Sequence, residues 1–313
     1  MLKQVLEAME LLDDSSASGP KVAGQLKSRG LEKIEVRAVE GAEGSTDFVK
    51  IIVPGTEGKQ KGGRAPTLGI IGRLGGVGAR PVRIGIVSDA DGAVAALSCA
   101  LKLADMGRKG DVLKGDVIIA THVCPRSPII LHEPVPFMGS PVDMRTMNKH
   151  EVDPAMDGIL SIDATKGNRI INSRGVAITP TVKEGYILRV SEDLLDLLSW
   201  TTGRLPQVIA ITTQDITPYG NGLFHVNSIT QPCTATSAPV VGVALTAEAA
   251  VPGCASGCNH EVDIAEAARF SIEVAKGFTE GKCRLYDQDE FQRMVGLYGA
   301  MTHLQTLGGT RRN

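Results

Sequence analysis

Three β-branched runs at the centre of the chain constrain its fold more than any other feature. The runs TLGIIGRL, VRIGIVS and DVIIATHV are almost entirely apolar, which is typical of strands buried on both faces of a sheet. Between the last two, apolar residues from Val94 to Ala104 form one helical face, and Gly107 and Gly110 end the helix. A helix between two such strands implies a parallel pair with a right-handed crossover. The stretch from Val82 to Val123 therefore predicts strand–turn–helix–strand in an α/β protein.

Further elements are predicted on both sides of this centre. Before it come a helix over Leu2 to Leu12, a short helix around Val22 to Lys27, and two antiparallel strands in EKIEVRAVEG and DFVKIIVPG. After it come strands in GILSIDAT, GVAITPTV, VIAITT and VVGVALT. Three helices are predicted among and after these strands: Glu192 to Thr202 capped by Ser191, IAEAARFSIEVAKGF with capping-box spacing at Asp263 and Glu266, and a last one between Asp287 and Leu307. We expect a single three-layer α/β/α domain over residues 1–313 with a mainly parallel central sheet. Residues 125–157 read as a proline-rich loop or small excursion.

Composition excludes several classes of function. The formal net charge is −2 with mixed signs, so the chain has no basic face for nucleic acid. No apolar run reaches the roughly 18 residues that cross a bilayer, and the start MLKQVLEAMELLDD is an acidic amphipathic helix rather than a signal peptide. Six cysteines in 313 residues form no dense disulfide framework. We expect a cytoplasmic protein that binds a small-molecule substrate, with no nucleic-acid or membrane partner.

Two aspartates follow the second of the β-branched runs. Ligands of open α/β sheets gather beyond the carboxyl ends of the strands, and Asp89 and Asp91 in GIVSDADGAV lie at such an end, just before a helix. They are candidates for a carboxylate pair that binds a metal or polarises water. The alternative is an N-cap and a first-turn acid that the helix dipole favours.

His122 and Cys124 end the next strand two residues apart, so their side chains leave on the same face. Both suit a soft metal, and Cys124 is also a candidate nucleophile with His122 as its base. The alternative is a structural histidine beside a buried thiol.

Ligand-type residues are densest in VPGCASGCNHEVD, which contains Cys254, Cys258, His260 and Glu261. This segment follows the strand VVGVALT and precedes a helix, again at the carboxyl ends of strands. The spacing Cys-x3-Cys-x-His is not a standard zinc signature, so a glycine-rich loop that caps the helix is the alternative to a catalytic or metal role. No Gly-x-Ser-x-Gly or His-Glu-x-x-His motif occurs, which disfavours the common serine-hydrolase and zincin mechanisms.

The same segments carry a resemblance to known families. From GIIGRLGGVGARPVRIGIVSDADGAVAALSCALKLAD through DVIIATHVCPRSP to GCNHEVDIAEAARFSIEVAKGF, the chain resembles a bacterial and archaeal family catalogued as domain of unknown function 1177. More remotely, the order of elements is similar to that of co-catalytic zinc aminopeptidases of the phosphorylase/hydrolase-like fold, in the branch that forms large oligomers. The resemblance implies that fold, a homo-oligomer and zinc or another divalent metal.

The resemblance to the peptidases keeps few of their zinc ligands. Their His-x-Asp falls on Arg73 and Gly75, their bridging Asp on Ser88 or Asp89, their Glu pair on Cys124 and Pro125, their later Asp on Asp163 and their late His near Gly257 to His260. Among the ligands, Asp89, Asp163 and His260 are retained. The carry-over therefore implies a rebuilt site rather than a standard two-zinc site.

These candidates together predict a hydrolase-like enzyme that acts on an amide bond of a peptide-like or amino-acid-derived small molecule. The catalytic candidates are Cys124, Glu261 and Asp89, and the metal candidates are Asp89, His122, Asp163, Cys258 and His260. Two alternatives stay open. One is a metal-free homologue that serves as a ligand-binding or assembly protein, and the other is a racemase or isomerase that uses Cys124 and Cys258 as paired acid and base.

Overall fold

A nine-stranded mixed sheet with helices forms the framework of the described part of the chain. The computed structural model describes residues 1–73, 75–131, 133, 136–165, 167–211, 228–250 and 259–306. The helices are α1 (Leu2–Leu12), α2 (Gly19–Ser28), α3 (Asp91–Gly107), α4 (Met144–Glu151), α5 (Glu192–Thr202), α6 (Glu261–Thr279) and α7 (Gln288–Tyr298), with 3-10 turns at Lys59–Lys61, Ser88–Ala90, Ser228–Thr234 and Thr302–Leu304. The strands are β1 (Ile34–Gly41), β2 (Gly44–Val53), β3 (Leu68–Gly72), β4 (Val117–Val123), β5 (Ile129–Ile130), β6 (Phe137–Met138), β7 (Gly158–Thr165), β8 (Gly175–Ile178), β9 (Val182–Lys183), β10 (Tyr186–Ile187) and β11 (Val240–Thr246).

The centre of the sheet is parallel and its flanks are antiparallel. The strand order is β1-β2-β4-β3-β7-β11-β9-β10, and β8 also pairs with β11. Strand β3 is parallel to both β4 and β7, and β7 is parallel to β11. Strands β1, β2, β8, β9 and β10 pair antiparallel. The carboxyl ends of β3, β4, β7 and β11 therefore meet along one edge, which we call the carboxyl edge.

Alternate residues of the central strands pack on different faces of the sheet. On one face, Ile70, Ile119 and Leu160 join the main core with residues from α1, α2, α3, α5 and α6. On the other face, Ile71, Ile118 and Ile159 form a second cluster that includes Cys233 of the 3-10 turn Ser228–Thr234. Helix α4 lies on that second face near β2, where Met147 packs with Phe48. Burial on both faces explains why these strands contain so few polar residues.

Most of the predicted elements are confirmed, but the strand predicted in VRIGIVS is wrong. Residues 82–88 contain no strand, Val82 is 64% exposed and Ile84 is 78% exposed. Gly85 has φ +93, a backbone conformation that interrupts a strand. A β-branched run forms a strand only where its side chains find a core and its backbone finds partners. The parallel pair that flanks α3 is β3 and β4, so the first strand of the pair is TLGIIG rather than the predicted VRIGIVS.

Two further boundaries differ from the sequence prediction. Helix α6 begins at Glu261 after His260, which makes no side-chain cap. Asp263 lies inside the first turn, where its carboxylate accepts a hydrogen bond from Arg174 at 3.0 Å, so the capping-box prediction is wrong. In VIAITT, the described residues 208–211 are not a strand, since Val208 makes only an isolated bridge to Ile178.

The proline-rich segment 125–157 has structure of its own. It contains the short β5–β6 hairpin and α4, whose N-cap Asp143 accepts a hydrogen bond from the backbone of Thr146. Asp143 ends the irregular stretch because its carboxylate satisfies one of the free N–H groups at the start of the helix. Within the described ranges, no helix is long and apolar enough to cross a membrane.

Candidate functional site

The N-terminus of α3 lies directly against the carboxyl edge. A Cβ atom on Gly92 would lie 2.4 Å from the carbonyl oxygen of Ile162 and 2.5 Å from that of Arg73. Only a residue without a side chain permits this contact between the first turn of the helix and the ends of β3 and β7. The contact brings Asp91, the first residue of α3, to the strand ends.

A group of buried carboxylates surrounds this helix start. The Asn259 side-chain amide donates to Asp91 Oδ1 at 2.5 Å and to the carbonyl of Val87 at 3.0 Å. The backbone N–H of Met138 donates to Asp89 Oδ2 at 2.9 Å. We call Asp89, Asp91, Asp163, Asp263 and Asn259 the carboxylate cluster; each of them is less than 9% exposed.

The surroundings of Asp91 oppose its ionisation. Burial is the largest cause and raises the pKa of Asp91 well above its usual value, while the hydrogen bond from Asn259 lowers it and the charges of Asp89, Asp163 and Asp263 raise it further. A carboxyl group in apolar surroundings among like charges retains its proton at higher pH than an exposed one. Asp91 is therefore suited to donate a proton to a bound group.

Asn259 presents an acceptor that has no partner among the described residues. Its Oδ1 is buried without a hydrogen bond to any of them, whereas the amide nitrogen of the same side chain donates twice. A buried acceptor that lacks a donor is costly in free energy. The cluster is thus suited to a guest that presents N–H or O–H groups.

A second buried polar group lies on the face of the sheet that carries α4. Arg73 Nε lies 3.2 Å from Glu151 Oε2, and Glu151 Oε1 lies 3.3 Å from His122 Nδ1. Arg73 also donates to Asn148 Oδ1, and Asn148 donates to the hydroxyl of Thr234 at 3.1 Å. We call Arg73, His122, Asn148 and Glu151 the Arg73 network. All four side chains are nearly or wholly buried.

The geometry of this network leaves several polar atoms without a hydrogen bond. Arg73 Nε, His122 Nδ1 and both carboxylate oxygens of Glu151 are buried at ion-pair distances but outside hydrogen-bond geometry. The side-chain amide of Gln231, whose backbone carbonyl accepts from Asn148, is buried, and neither of its polar atoms has a partner in the part of the chain that the structure describes. Buried polar groups of this kind are usually satisfied by water or by a bound molecule.

The described contacts place the residues that the sequence grouped as one site in two sets of contacts. Asp89 and Asp163 belong to the carboxylate cluster, and His122 belongs to the Arg73 network. Cys124 is 2% exposed, and its sulfur lies 3.4 Å from the carbonyl oxygen of Ser45; it makes no hydrogen bond to His122.

The late segment is described only in part. His260 is an exposed N-cap residue, and Glu261 is the half-buried first residue of α6. Cys254 and Cys258 lie outside the described residues, so the structure does not test the roles predicted for them.

The zinc that the peptidase resemblance implies does not fit the described donors. In the parts of the chain that the structure describes, no group of three His, Cys, Asp or Glu side chains is arranged to hold a metal. Arg73, on which the resemblance would place a histidine ligand, brings a fixed positive charge that is paired with Glu151. The described residues alone therefore offer no three-ligand metal site, and the candidate ligand Cys258 lies outside them.

Several residues of the carboxylate cluster and the Arg73 network were not predicted from the sequence. Asn148, Glu151 and Gln231 lie in no segment singled out as a site, and Asn259 lies in VPGCASGCNHEVD but was not among its candidates. Each acquires its contacts only when distant elements meet. Arg73 offered a signal, because an arginine at the end of an apolar strand requires a carboxylate partner if it is buried. The spacing of Asn148 and Glu151, three residues apart on one helical face, was the complementary signal.

Comparison with known proteins places the chain in a family. The sequence model described as Protein of unknown function (DUF1177) matches residues 37–308. The chain belongs to the DUF1177 family. The matched range contains β2 to β11, α3 to α7, the carboxylate cluster and the Arg73 network, so both polar groups lie within the part that defines DUF1177. A search of the curated proteins found no match.

Proposed function

We propose that this DUF1177 protein is a hydrolase that cleaves an amide bond of a peptide-like or amino-acid-derived small molecule at the carboxylate cluster. The observation that carries the proposal is the burial of Asp89, Asp91 and Asp163 around one helix start at the carboxyl edge. Aspartates that are buried close together destabilise a fold, and such groups are typical of acid–base sites. Their place beyond parallel strands is where α/β enzymes bind substrates.

The reaction assigns different tasks to two of the aspartates. Asp89 accepts a proton from water as the water oxygen attacks the amide carbonyl carbon. Asp91, which retains its proton, donates it to the leaving nitrogen as the C–N bond breaks. The products are a carboxylic acid and an amine, and solvent returns the proton from Asp89 to Asp91. Two neighbouring carboxyl groups, one of which retains its proton, can divide acid and base work in this way.

The test compares variants on a library of dipeptides, N-acyl amino acids and amino-acid amides, with products measured by mass spectrometry. We expect Asp91→Asn to lower turnover at least about 100-fold, the lower range for loss of a general acid. Asp111→Asn, an exposed aspartate just beyond the same helix, is the matched control and should retain full activity. Unchanged turnover in Asp91→Asn, or no cleavage of any amide by the wild type, would overturn the proposal.

Zinc and Cys124 remain part of the proposal as alternative means of activating the attack. Dialysis against a chelator and Cys124→Ala distinguish these alternatives from the aspartate mechanism. Activity that is lost with the metal and regained with Zn²⁺ would support the metal route, with His122, His260 and Cys258 as further candidate ligands. Loss in Cys124→Ala alone would support the thiol, whereas an unaffected rate in both supports Asp89 and Asp91.

A second candidate function is that of a metal-free ligand-binding or assembly protein. The observation that favours it is Arg73, whose buried guanidinium pairs with Glu151 in the position that corresponds to a zinc ligand. Under this alternative, Asp91→Asn leaves ligand-induced thermal stabilisation unchanged while the wild type turns over none of its ligands.

The finer assignments belong to the same proposal. We propose a three-layer phosphorylase/hydrolase-like fold, remotely similar to the co-catalytic zinc aminopeptidases, in a cytoplasmic homo-oligomer. The parallel centre β4-β3-β7-β11 and the helices against both of its faces support the fold. Light scattering on the full chain tests the oligomer, and a monomeric mass at micromolar concentration would contradict it.

A further inference from the structure

A large pocket opens at the edge of the sheet opposite the carboxylate cluster. Its volume is about 700 Å³, and Pro66, Asp157 and Pro239 in its lining precede β3, β7 and β11. The pocket therefore lies at the amino ends of the central parallel strands. Volumes of about 300–1,000 Å³ are usual for pockets that hold small organic molecules. No residue of the carboxylate cluster lines it.

One wall of the pocket is aromatic and partly uncovered. Phe278 and Tyr286 both line it and are only half-buried. The Tyr286 ring is fixed edge-to-face against Phe291 at 5.7 Å, so it needs no rearrangement to receive a guest. When an apolar group covers exposed aromatic rings that are already in position, the burial of their surface stabilises the complex.

The two cationic side chains that line the pocket differ in the partners that they already have. Lys183 Nζ donates to the Glu184 carboxylate at 2.5 Å and to the carbonyl of Ser237 at 2.7 Å. Among the described residues, Arg284 makes one ion pair, from Nε to Asp193 at 3.6 Å, and its side chain is 76% exposed. Arg284 therefore retains donors for a ligand at the mouth of the pocket.

The anion of the lining does not compete for Arg284. Asp157 Oδ1 accepts from Lys59 Nζ, and its Oδ2 accepts from the backbone of Thr67, each at 2.8 Å. Its charge is thus offset by Lys59. The charge that the pocket offers to a guest is the positive charge of Arg284, beside a wall of aromatic rings.

We propose that this pocket binds a small organic acid whose carboxylate pairs with Arg284 and whose apolar group packs on Phe278 and Tyr286. The site is independent of the proposed hydrolysis, because it lies at the other edge of the sheet and shares no residue with the carboxylate cluster. Arginine favours carboxylates because its planar guanidinium donates two parallel hydrogen bonds to them. An aryl-alkyl carboxylate fits both features of the pocket.

Calorimetric titration of the full chain with 4-phenylbutyrate tests this proposal. We expect one site per chain, and binding at least about tenfold weaker for 4-phenylbutanol, which lacks the charge, and for butyrate, which lacks the ring. Equal binding of 4-phenylbutyrate and 4-phenylbutanol, or no binding of 4-phenylbutyrate up to the millimolar range, would overturn the proposal.

Three variants test whether 4-phenylbutyrate binds in this pocket. Arg284→Ala removes the charge at the mouth, and Ala235→Trp fills the pocket from an exposed lining position; both should weaken binding of 4-phenylbutyrate at least about tenfold. Arg293→Ala, an exposed arginine of α7 outside the lining, is the matched control and should bind as the wild type does. Wild-type affinity in both pocket variants would contradict the assignment.

Discussion

Burial governs the ionisation of Asp91 and therefore the pH dependence of stability. Its folded pKa lies above its unfolded value of about 3.9. Its contribution to stability is then present below the unfolded pKa and is lost as the pH rises through the folded pKa. We expect Asp91→Asn, which needs no ionisation, to be more stable than the wild type at neutral pH by at least about 1.4 kcal/mol, the value of a tenfold change in protonation.

Denaturant unfolding between pH 4 and 8 measures this difference. It should be small at the acid end and should grow with pH, and Asp111→Asn should show no such growth. A destabilised Asp91→Asn at neutral pH would mean that a bound cation or another partner compensates the ionised carboxylate.

Removal of one charge of the buried Arg73–Glu151 pair leaves the other charge without a partner of opposite sign. Both side chains are buried, so Glu151→Gln leaves the guanidinium without a counter-charge. We expect a loss of about 3–5 kcal/mol in the free energy of unfolding, as is usual for a broken buried pair. Glu273→Gln, which breaks the exposed pair with Lys276, should cost about 0–1 kcal/mol.

Equilibrium unfolding in urea checks both values. The double variant Arg73→Met with Glu151→Leu removes both charges and should recover most of the loss, because two apolar side chains leave no buried charge unpaired. If the double variant is no more stable than Glu151→Gln, the loss of stability arises from lost packing rather than from an unpaired buried charge.

At the scale of the element, two glycines of α3 face different surroundings. A Cβ on Gly92 would collide with the backbone of Ile162 and Arg73, whereas a Cβ on Gly107 would meet nothing within 4 Å. We expect Gly92→Ala to destabilise the protein by about 1–3 kcal/mol, as overpacking does, and Gly107→Ala to stabilise it by about 0.5–1 kcal/mol, because alanine is the better helix former.

Thermal unfolding with the two variants in parallel gives the comparison. Gly92→Ala should also lower amide hydrolysis, since the helix start must move away from the strand ends and takes Asp91 with it. Gly107→Ala should leave hydrolysis unchanged. Equal effects of both substitutions on stability would contradict the close contact at Gly92.

Local patterns predicted the elements well where burial and periodicity agreed. Helix α5 lies at the predicted residues because Ser191 caps it and Gly203 ends it with φ +70. The pattern failed in VRIGIVS, since a β-branched composition is the same whether Val82 and Ile84 face a core or solvent. Asp89 and Asp91 still lie at the carboxyl edge. Val77 donates to the carbonyl of Cys124 just beyond β4 at 3.0 Å, and Val87 donates to the carbonyl of Val77 at 3.3 Å.

The composition of the site was less predictable, because its members come from four separate elements. Asp89 was predicted from its place after a β-branched run, although that run forms no strand, and Asp163 was predicted only from the resemblance to the zinc aminopeptidases. Asn259 joins Asp91 only through a contact across 168 residues of sequence, and no periodicity encodes such a contact. His122 and Cys124 share a face of the strand, yet Glu151 on α4 engages one of them and the Ser45 carbonyl engages the other.

At the scale of the molecule, stability should be graded from the centre of the sheet to its flank. Strands β3, β4 and β11 are buried along their whole length. Strand β1 contains exposed and half-buried residues, and among the described strands it pairs with β2 alone. Amides with partners on both sides and no access to water exchange only when the whole domain opens, while those of an edge strand exchange by local opening. We therefore expect hydrogen exchange to be slowest in the central strands and faster in β1 by at least about tenfold, which corresponds to 1.4 kcal/mol of local stability.

Hydrogen exchange followed by mass spectrometry on the full chain measures this gradient. Strand β2 is the internal control, because it is the neighbour of β1 in the same hairpin but has β4 on its other side. Protection in β2 should approach that of β4 and exceed that of β1. If β1 exchanges as slowly as β3, its free edge is covered in solution, and a second copy of the chain paired along β1 would account for that protection, in keeping with the proposed homo-oligomer.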